Sequence, residues 1–334
     1  MLISKKIFCL SILIALMLSL NVGNVFCAEK TIYAIESYHA EYPWDASYKS
    51  GLEESLGGKY KIVYFQMDTK RLPKNQHQRM AGLAWEKYLL EKPALVIIGD
   101  DAGLKLLGPK FAETSTPVVF LGINNNPRNY FTSWPTNITG VLERPLLKRS
   151  ILNINKILPN TKRVLVLFDS DITAQITKKE VFNDQDSLYI KDIKVEIRLI
   201  GDLQTWQNTV LSSKGKYDAC VVGLYQSVKD ADGKPVNSEE LIAWTSKNTP
   251  IPPFAFWDFA IGRDKTIGGL VLFGKEMGVL ASGLVLKILE KGKTPKELFP
   301  IMNDQGILLF SKSQLTKWNI KLPENMASTA GFID

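Results

Sequence analysis

Beyond residue 30 the chain alternates short, β-rich apolar runs with stretches whose apolar positions recur at helical spacing. The first series predicts strands at 31–35, 60–65, 94–98 and 117–121, with helices at 45–56 and 74–90. A run such as Ala94–Ile98, apolar throughout, suits a parallel strand covered by helices on both faces. The pattern then restarts. A helix at 145–157 carries Pro145 near its start, where proline costs no hydrogen bond. Strands at 163–168, 194–200 and 217–223 follow, with helices at 173–188, 203–212 and 238–247, the last capped by Ser238.

Two successive βα series predict an α/β protein of two doubly wound parallel-sheet lobes. The seam falls near Asn137–Gly140. The pieces that remain, 254–257, 269–273, 275–291 and 306–310, are too few for a third sheet. They complete the two lobes, so the chain must cross between them more than once. The expected partition is 29–139 with 267–292 in one lobe, and 140–266 with 293–334 in the other.

The first 28 residues have a different pattern. Lys5 and Lys6 precede an apolar run from Ile7 to Leu20, then Asn21 and Asn24. This is the arrangement of a secretory signal, shorter than the ~20 apolar residues of a membrane span. Cleavage near Cys27–Ala28 makes Glu29 the first mature residue and places the protein in the periplasm or outside the cell. Cys27 offers a second reading, a lipid-anchored N-terminus, which the bulky Val25-Phe26 before it disfavours.

Composition narrows the class further. The 334 residues are 45% hydrophobic and 22% charged, the balance of an ordinary globular chain rather than a disordered or multi-spanning one. The formal charge of +7 falls to +5 once Lys5 and Lys6 leave with the signal, too mild over so long a chain to suggest nucleic acid. Three cysteines rule out a disulfide scaffold, and Cys220, within the apolar run 219–222, reads as an unpaired core residue.

Catalytic and metal motifs are missing. There are two histidines, His39 and His77, and no Gly-x-Ser-x-Gly, His-Glu-x-x-His or Cys-x-x-Cys. The expectation is a non-enzyme with no cofactor and no metal. A secreted hydrolase working with carboxylates alone is the alternative, because acid pairs follow no short motif. Gly269–Lys275 has phosphate-loop spacing, but Glu276 stands where a magnesium-binding hydroxyl belongs and the interior is an apolar strand. Asp230-Ala231-Asp232-Gly233 matches part of a calcium loop, but Val228 stands at its first ligand position, so a surface turn is expected.

What remains is a set of polar and aromatic residues just beyond the predicted strands, where ligands of open parallel sheets bind. In the first series these are Ser37, Tyr38, His39 and Trp44, then Asp100 and Asp101, then Asn124, Asn125 and Asn126. In the second they are Asp169 and Ser170, Tyr225 and Gln226, and Trp257 and Asp258. Each loop alone is weak evidence: a single Asn of 124–126 fits a cap better than a ligand contact, and Trp44 and Trp257 fit packing as well as a stacking wall. Their joint placement, three loops per series, points to one cleft between the lobes.

Several segments resemble the type I periplasmic substrate-binding proteins of ABC transporters, a family whose relatives include aromatic amino-acid binders. Asn137-Ile138-Thr139-Gly140-Val141 is similar to the family's hinge segment. The stretch from Gly268-Gly269 through Gly278, Leu286–Gly292 and Pro295 resembles its closing strand and helix. Leu308–Pro323 resembles its C-terminal helix, with Asn319 where glycine is usual. Ser37-Tyr38-His39 with Tyr42-Pro43-Trp44 is similar to versions fused to sensor kinases.

The resemblance implies two lobes joined by a hinge, a small-molecule ligand, a monomer, and delivery to an ABC permease; the alternative output is a membrane kinase or cyclase. It also marks departures. Asp100 follows Gly99 where the family has Thr or Ser, and Asn126 precedes Pro127 where it has Asp. An Asp facing the cleft favours a cationic or hydroxyl-rich ligand over a carboxylate.

Overall fold

The computed structural model describes residues 30–334; the expected signal segment, with Cys27, lies outside them. The first lobe is built on β1 (Thr31–Glu36), β2 (Lys61–Gln66), β3 (Leu95–Gly99), β4 (Val118–Ile123) and β5 (Ile138–Glu143), all parallel. Between them run α1 (Pro43–Leu56), α2 (Lys74–Glu91) and α3 (Asp100–Ala112). β3 and β4 are buried at every position, as strands with helices on both faces must be.

The second lobe begins with α4 (Leu147–Ile157), whose Ser150, Ile151, Ile154 and Ile157 form its buried stripe. Then come β6 (Arg163–Phe168), α5 (Ile172–Phe182), β7 (Ser187–Ile190), β8 (Ile193–Leu199), α6 (Leu203–Leu211), β9 (Ala219–Val222), α7 (Ser238–Asn248) and β10 (Pro253–Ala255). Its sheet has the order β10-β9-β6-β8-β7, parallel except at β7. The chain closes with β11 (Gly268–Val271), α8 (Gly274–Leu289), β12 (Ile301–Asn303), β13 (Ile307–Ser311), α9 (Lys312–Lys317), α10 (Glu324–Ala327) and β14 (Gly331–Ile333).

These late elements divide between the lobes. β12 adds to the first sheet beside β5, giving the order β12-β5-β4-β3-β1-β2. β11, β13 and β14 make a small sheet of their own, and β11 packs beside β10. α8 returns to the first lobe and lies along α1. That contact is close because both helices present glycine. A Cβ on Gly51 would stand 2.1 Å from the Lys275 carbonyl, and one on Gly278 2.1 Å from the Tyr48 carbonyl.

The chain therefore crosses between lobes three times, after β5, after β11 and after β12. These points differ from the expected boundaries at 139/140, 266/267 and 292/293. Residues 138–143 are not a seam but a strand in register with β4, and Thr139 donates from Oγ1 to the Leu298 carbonyl at 2.6 Å. Gly268–Val271 pairs antiparallel with β13 on the second-lobe side.

Three local differences have identifiable causes. The helix expected over 173–188 stops at Phe182, where Asn183 turns left-handed (φ 51°), and β7 instead forms a hairpin with β8 through Lys191 (φ 54°). α3 carries Gly103, Gly108 and Pro109, which hide its helical period. Residues 308–323 hold a strand and the short α9 rather than one helix, and Asn319 takes φ 52°, a conformation Asn tolerates better than most side chains.

Candidate functional site

Parallel strands of both sheets end at the contact between the lobes. There, Tyr38, Tyr42, Trp44, Asp100, Asn124 and Glu143 of the first lobe face Thr173, Leu224, Trp257 and Phe259 of the second. They close on a cavity of about 10 Å³, room for a single water-sized group. Two direct links span the lobes at this place. Trp257 Nε1 donates to Glu143 Oε1 at 2.6 Å, and Lys70 Nζ lies 3.2 Å from Asp171 Oδ2. The Lys70 ammonium also sits 4.8 Å above the Tyr38 ring and 5.3 Å above that of Tyr42.

The acids of the cavity are held by the first lobe. Asp100 opens α3 with φ 61°, a left-handed conformation that costs an L-residue on the order of 1–3 kcal/mol and concentrates at functional sites. Its Oδ2 is buried without a hydrogen-bond partner. Burial raises its pKa well above the usual carboxylate range, reinforced by Asp45, Glu143 and Asp101 and opposed by Lys70. Glu143, the last residue of β5, is pushed up to about 8 by burial, against hydrogen bonds from Trp257 and from Asn124 Nδ2 at 3.2 Å. Three further buried atoms on the cavity have no partner, Asn124 Oδ1, Trp44 Nε1 and Thr173 Oγ1.

Lys70 is held the other way. Burial acts against its charge, but Tyr42, Asp171 and Asp169 together raise its pKa above the usual lysine value. Burial likewise acts against ionised Asp171, and Lys70 overcomes it to hold that carboxyl below its usual range.

Of the residues expected at the cleft, the structure brings Tyr38, Trp44, Asp100, Asn124 and Trp257 to the cavity. The others sit nearby in different roles. Ser37 Oγ donates to the Gly99 carbonyl at 2.5 Å and accepts from Gly103 N, tying β1 to the start of α3. Asp101 turns away from the cavity and accepts from Asn124 N, Asn125 N and the Tyr130 hydroxyl, fixing the loop after β4. Asn125 Oδ1 accepts from Asn129, and Asn126 caps the turn at Pro127–Tyr130 through Arg128 N.

In the second lobe, Asp169 braces two loops by accepting from Asp171 N and Ser227 N, and Ser170 is exposed with its carbonyl on Gln175. Tyr225 is core, packed against Phe259, and Gln226 accepts from Tyr225 N. His39 lies outside the lining, its Nδ1 3.3 Å from Asp68 and its pKa lowered by burial and Arg71. Asp258 begins a short turn after Trp257, with burial raising its pKa to about 6.

Glu143, Lys70, Tyr42, Thr173 and Phe259 were not singled out by the sequence. Lys70 follows β2, and the same rule of looking beyond strand ends would have found it. Glu143 was hidden because its strand was read as a seam.

A larger interlobe groove, about 340 Å³ and open to solvent, lies beside the cavity, lined by Lys74, His77, Lys105, Asp171 and Gln175 among others. It lacks the aromatic convergence of the smaller space. The near misses are structural: Asp230 Oδ1 accepts from Asp232 N and Lys234 N in a surface turn, and Cys220 is buried and free. Among the described residues no helix is long and apolar enough to cross a membrane, and no acid, histidine or cysteine cluster is placed to hold a metal.

This two-lobed α/β architecture is that of type I periplasmic binding proteins. The chain belongs to the ABC transporter substrate binding protein family, whose model matches residues 87–333. Among solved structures it is similar to an ABC domain from Streptococcus pneumonia in complex with L-Trp, with TM-score 0.67 and 17% identity over 92% of this chain and 100% of that one. A conserved domain protein from Vibrio cholerae gives 0.65 and 18% over 92% and 99%. The ligand-free, open form of a substrate-binding protein with adhesive properties from Clostridium difficile gives 0.63 and 15% over 91% and 99%. No curated protein matches the sequence.

Proposed function

We propose that this chain is an exported receptor that captures one small organic solute between its lobes and presents the closed form to an ABC-type permease. The observation that carries the reading is the cavity at the strand ends, walled by both lobes and bridged by Trp257–Glu143 and Lys70–Asp171. A solute that touches both walls favours the closed arrangement by its differential affinity for it, so occupancy becomes shape. Tyr38, Trp44 and Trp257 supply apolar and stacking area, and Asp100 and Asn124 supply orientation. The L-Trp complex of a protein with the same fold supports a small organic solute as the occupant.

No turnover is assigned. Of the cavity acids, Glu143 is hydrogen-bonded to the opposite lobe, which suits closure, and Asp100 is buried at the cavity wall. Small-angle scattering with and without a solute panel tests the reading. Compaction on adding one solute class, with a matching rise in melting temperature, is expected. Chemical conversion of the solute would move the assignment to an enzyme.

A further inference from the structure

We propose, resting on the receptor reading, that the solute is a compact organic cation: a primary ammonium compound with an apolar or aromatic body and no carboxylate, its ammonium seated on Asp100 and Asn124. Two acids, Asp100 and Glu143, line the cavity, and no lysine, arginine or histidine does. The nearest cations are already committed. Arg144 donates to the carbonyls of Ile123, Glu143 and Asn125, and Lys70 is paired with Asp171.

Two of the unmet groups on the wall are oxygens of the first lobe. Asp100 Oδ2 and Asn124 Oδ1 are acceptors, on side chains only 4% and 3% exposed, with no partner. An ammonium offers three donors and no acceptor, so it satisfies both. An ammonium favours the ionised, accepting form of Asp100 and Glu143, which a carboxylate would disfavour. The other unpartnered groups on the wall are Trp44 Nε1, a donor, and the Thr173 hydroxyl, which can donate or accept. The walls suit the rest of the molecule. Trp257 and Phe259 stack at 6.2 Å and 12°, and aromatic faces attract a desolvated cation. The Lys70 ammonium above Tyr38 and Tyr42 shows these rings already accommodating one primary ammonium. The space between the walls, about 10 Å³, matches a group the size of one ammonium, so the walls must give to take the body of the solute.

Matched pairs that differ by one carboxylate test this: tyramine against tyrosine, tryptamine against tryptophan, cadaverine against lysine, with ribose and adenosine as neutral solutes. Thermal shift and calorimetry on the protein are expected to show an amine binding at least tenfold tighter than its amino acid. Asp100→Asn and Glu143→Gln, each shown folded by circular dichroism, are expected to weaken that amine at least tenfold. An amino acid that binds as tightly as its amine overturns the proposal. So does unchanged amine affinity in both variants. If a neutral solute binds and no amine does, the ligand class falls while the receptor reading stands. If no solute of any kind binds or compacts the protein, both fall.

Discussion

Trp257 of the second lobe donates its indole N–H to Glu143 of the first at 2.6 Å, joining the end of β5 to the loop after β10 across the cavity. The same indole stacks on Phe259 and meets Phe168 edge-on at 5.9 Å, so one side chain is both wall and core. Trp257→Phe keeps most of the ring area and removes the donor, leaving a buried Glu143 oxygen unpaired. Solute affinity is expected to fall by about 1–3 kcal/mol, read by calorimetry. Trp257→Ala is expected to lower the melting temperature as well, because the aromatic cluster loses a member. Unchanged affinity in the Phe variant would reduce the indole to packing.

The Lys70–Asp171 link predicts a second effect. The Lys70 side chain is 1% exposed and that of Asp171 21%. Asp171→Asn leaves the ammonium buried with its main partner gone, and is expected to shift the lobes toward the open form by about 1–3 kcal/mol. Lys70→Met in the same chain is expected to restore part of that loss, because it removes the stranded charge. Interlobe distance by single-molecule fluorescence reads both. Equal distances in the parent and Asp171→Asn would show that the pair does not hold the lobes together.

Glu143 gives closure a pH dependence. Burial holds its pKa at about 8 in the closed form against 4.5 for a free side chain. Below the lower value the carboxyl is protonated in both forms, and closure of the empty protein keeps its full strength. Between the two values, closing must take up a proton, so empty closure weakens as pH rises and levels off above about 8. Asp101 adds to the rise and Arg144 opposes it. A cation bound beside Glu143 stabilises the ionised form, so the loaded protein is expected to stay closed across this range. Scattering at pH 5 to 9 checks it, and Glu143→Gln is expected to flatten the empty profile; a flat parent profile would contradict this assignment.

The close packing of α1 on α8 predicts a stability effect remote from the cavity. Gly278→Ala places a methyl 2.1 Å from the Tyr48 carbonyl, so the helices must separate. A loss of about 1–3 kcal/mol is expected from overpacking, measured by denaturant unfolding. Gly283, with open space at its Cβ, serves as the control, and Gly283→Ala is expected to cost nothing.

Most of the sheet architecture was legible because parallel strands with two covered faces must be apolar throughout. The predicted strand at 163–168 has the bounds of β6 for this reason. Elements without that signature were lost. β7 is a four-residue edge strand with one exposed tyrosine, Tyr189, and it read as more helix. β5 ends in a buried glutamate, which an apolar-run reading treats as a boundary. The candidate site was visible only in part for a related reason. Aromatic and amide residues beyond strand ends announce themselves, whereas Ser37, Asp101 and Asp169 look identical in sequence and spend their oxygens on backbone N–H groups. Only the folded arrangement separates an acid that braces a loop from one, like Asp100, whose Oδ2 has no hydrogen-bond partner.

The most direct test of the central claim is mass spectrometry of the small molecules released when protein purified from its own cells is denatured. The account predicts one compound near 1:1, chemically unaltered, that rebinds and raises the melting temperature by the equivalent of about 2.7 kcal/mol at 100-fold excess over its dissociation constant. A compound recovered only as a converted product, or a protein that neither carries nor rebinds any solute, would contradict it.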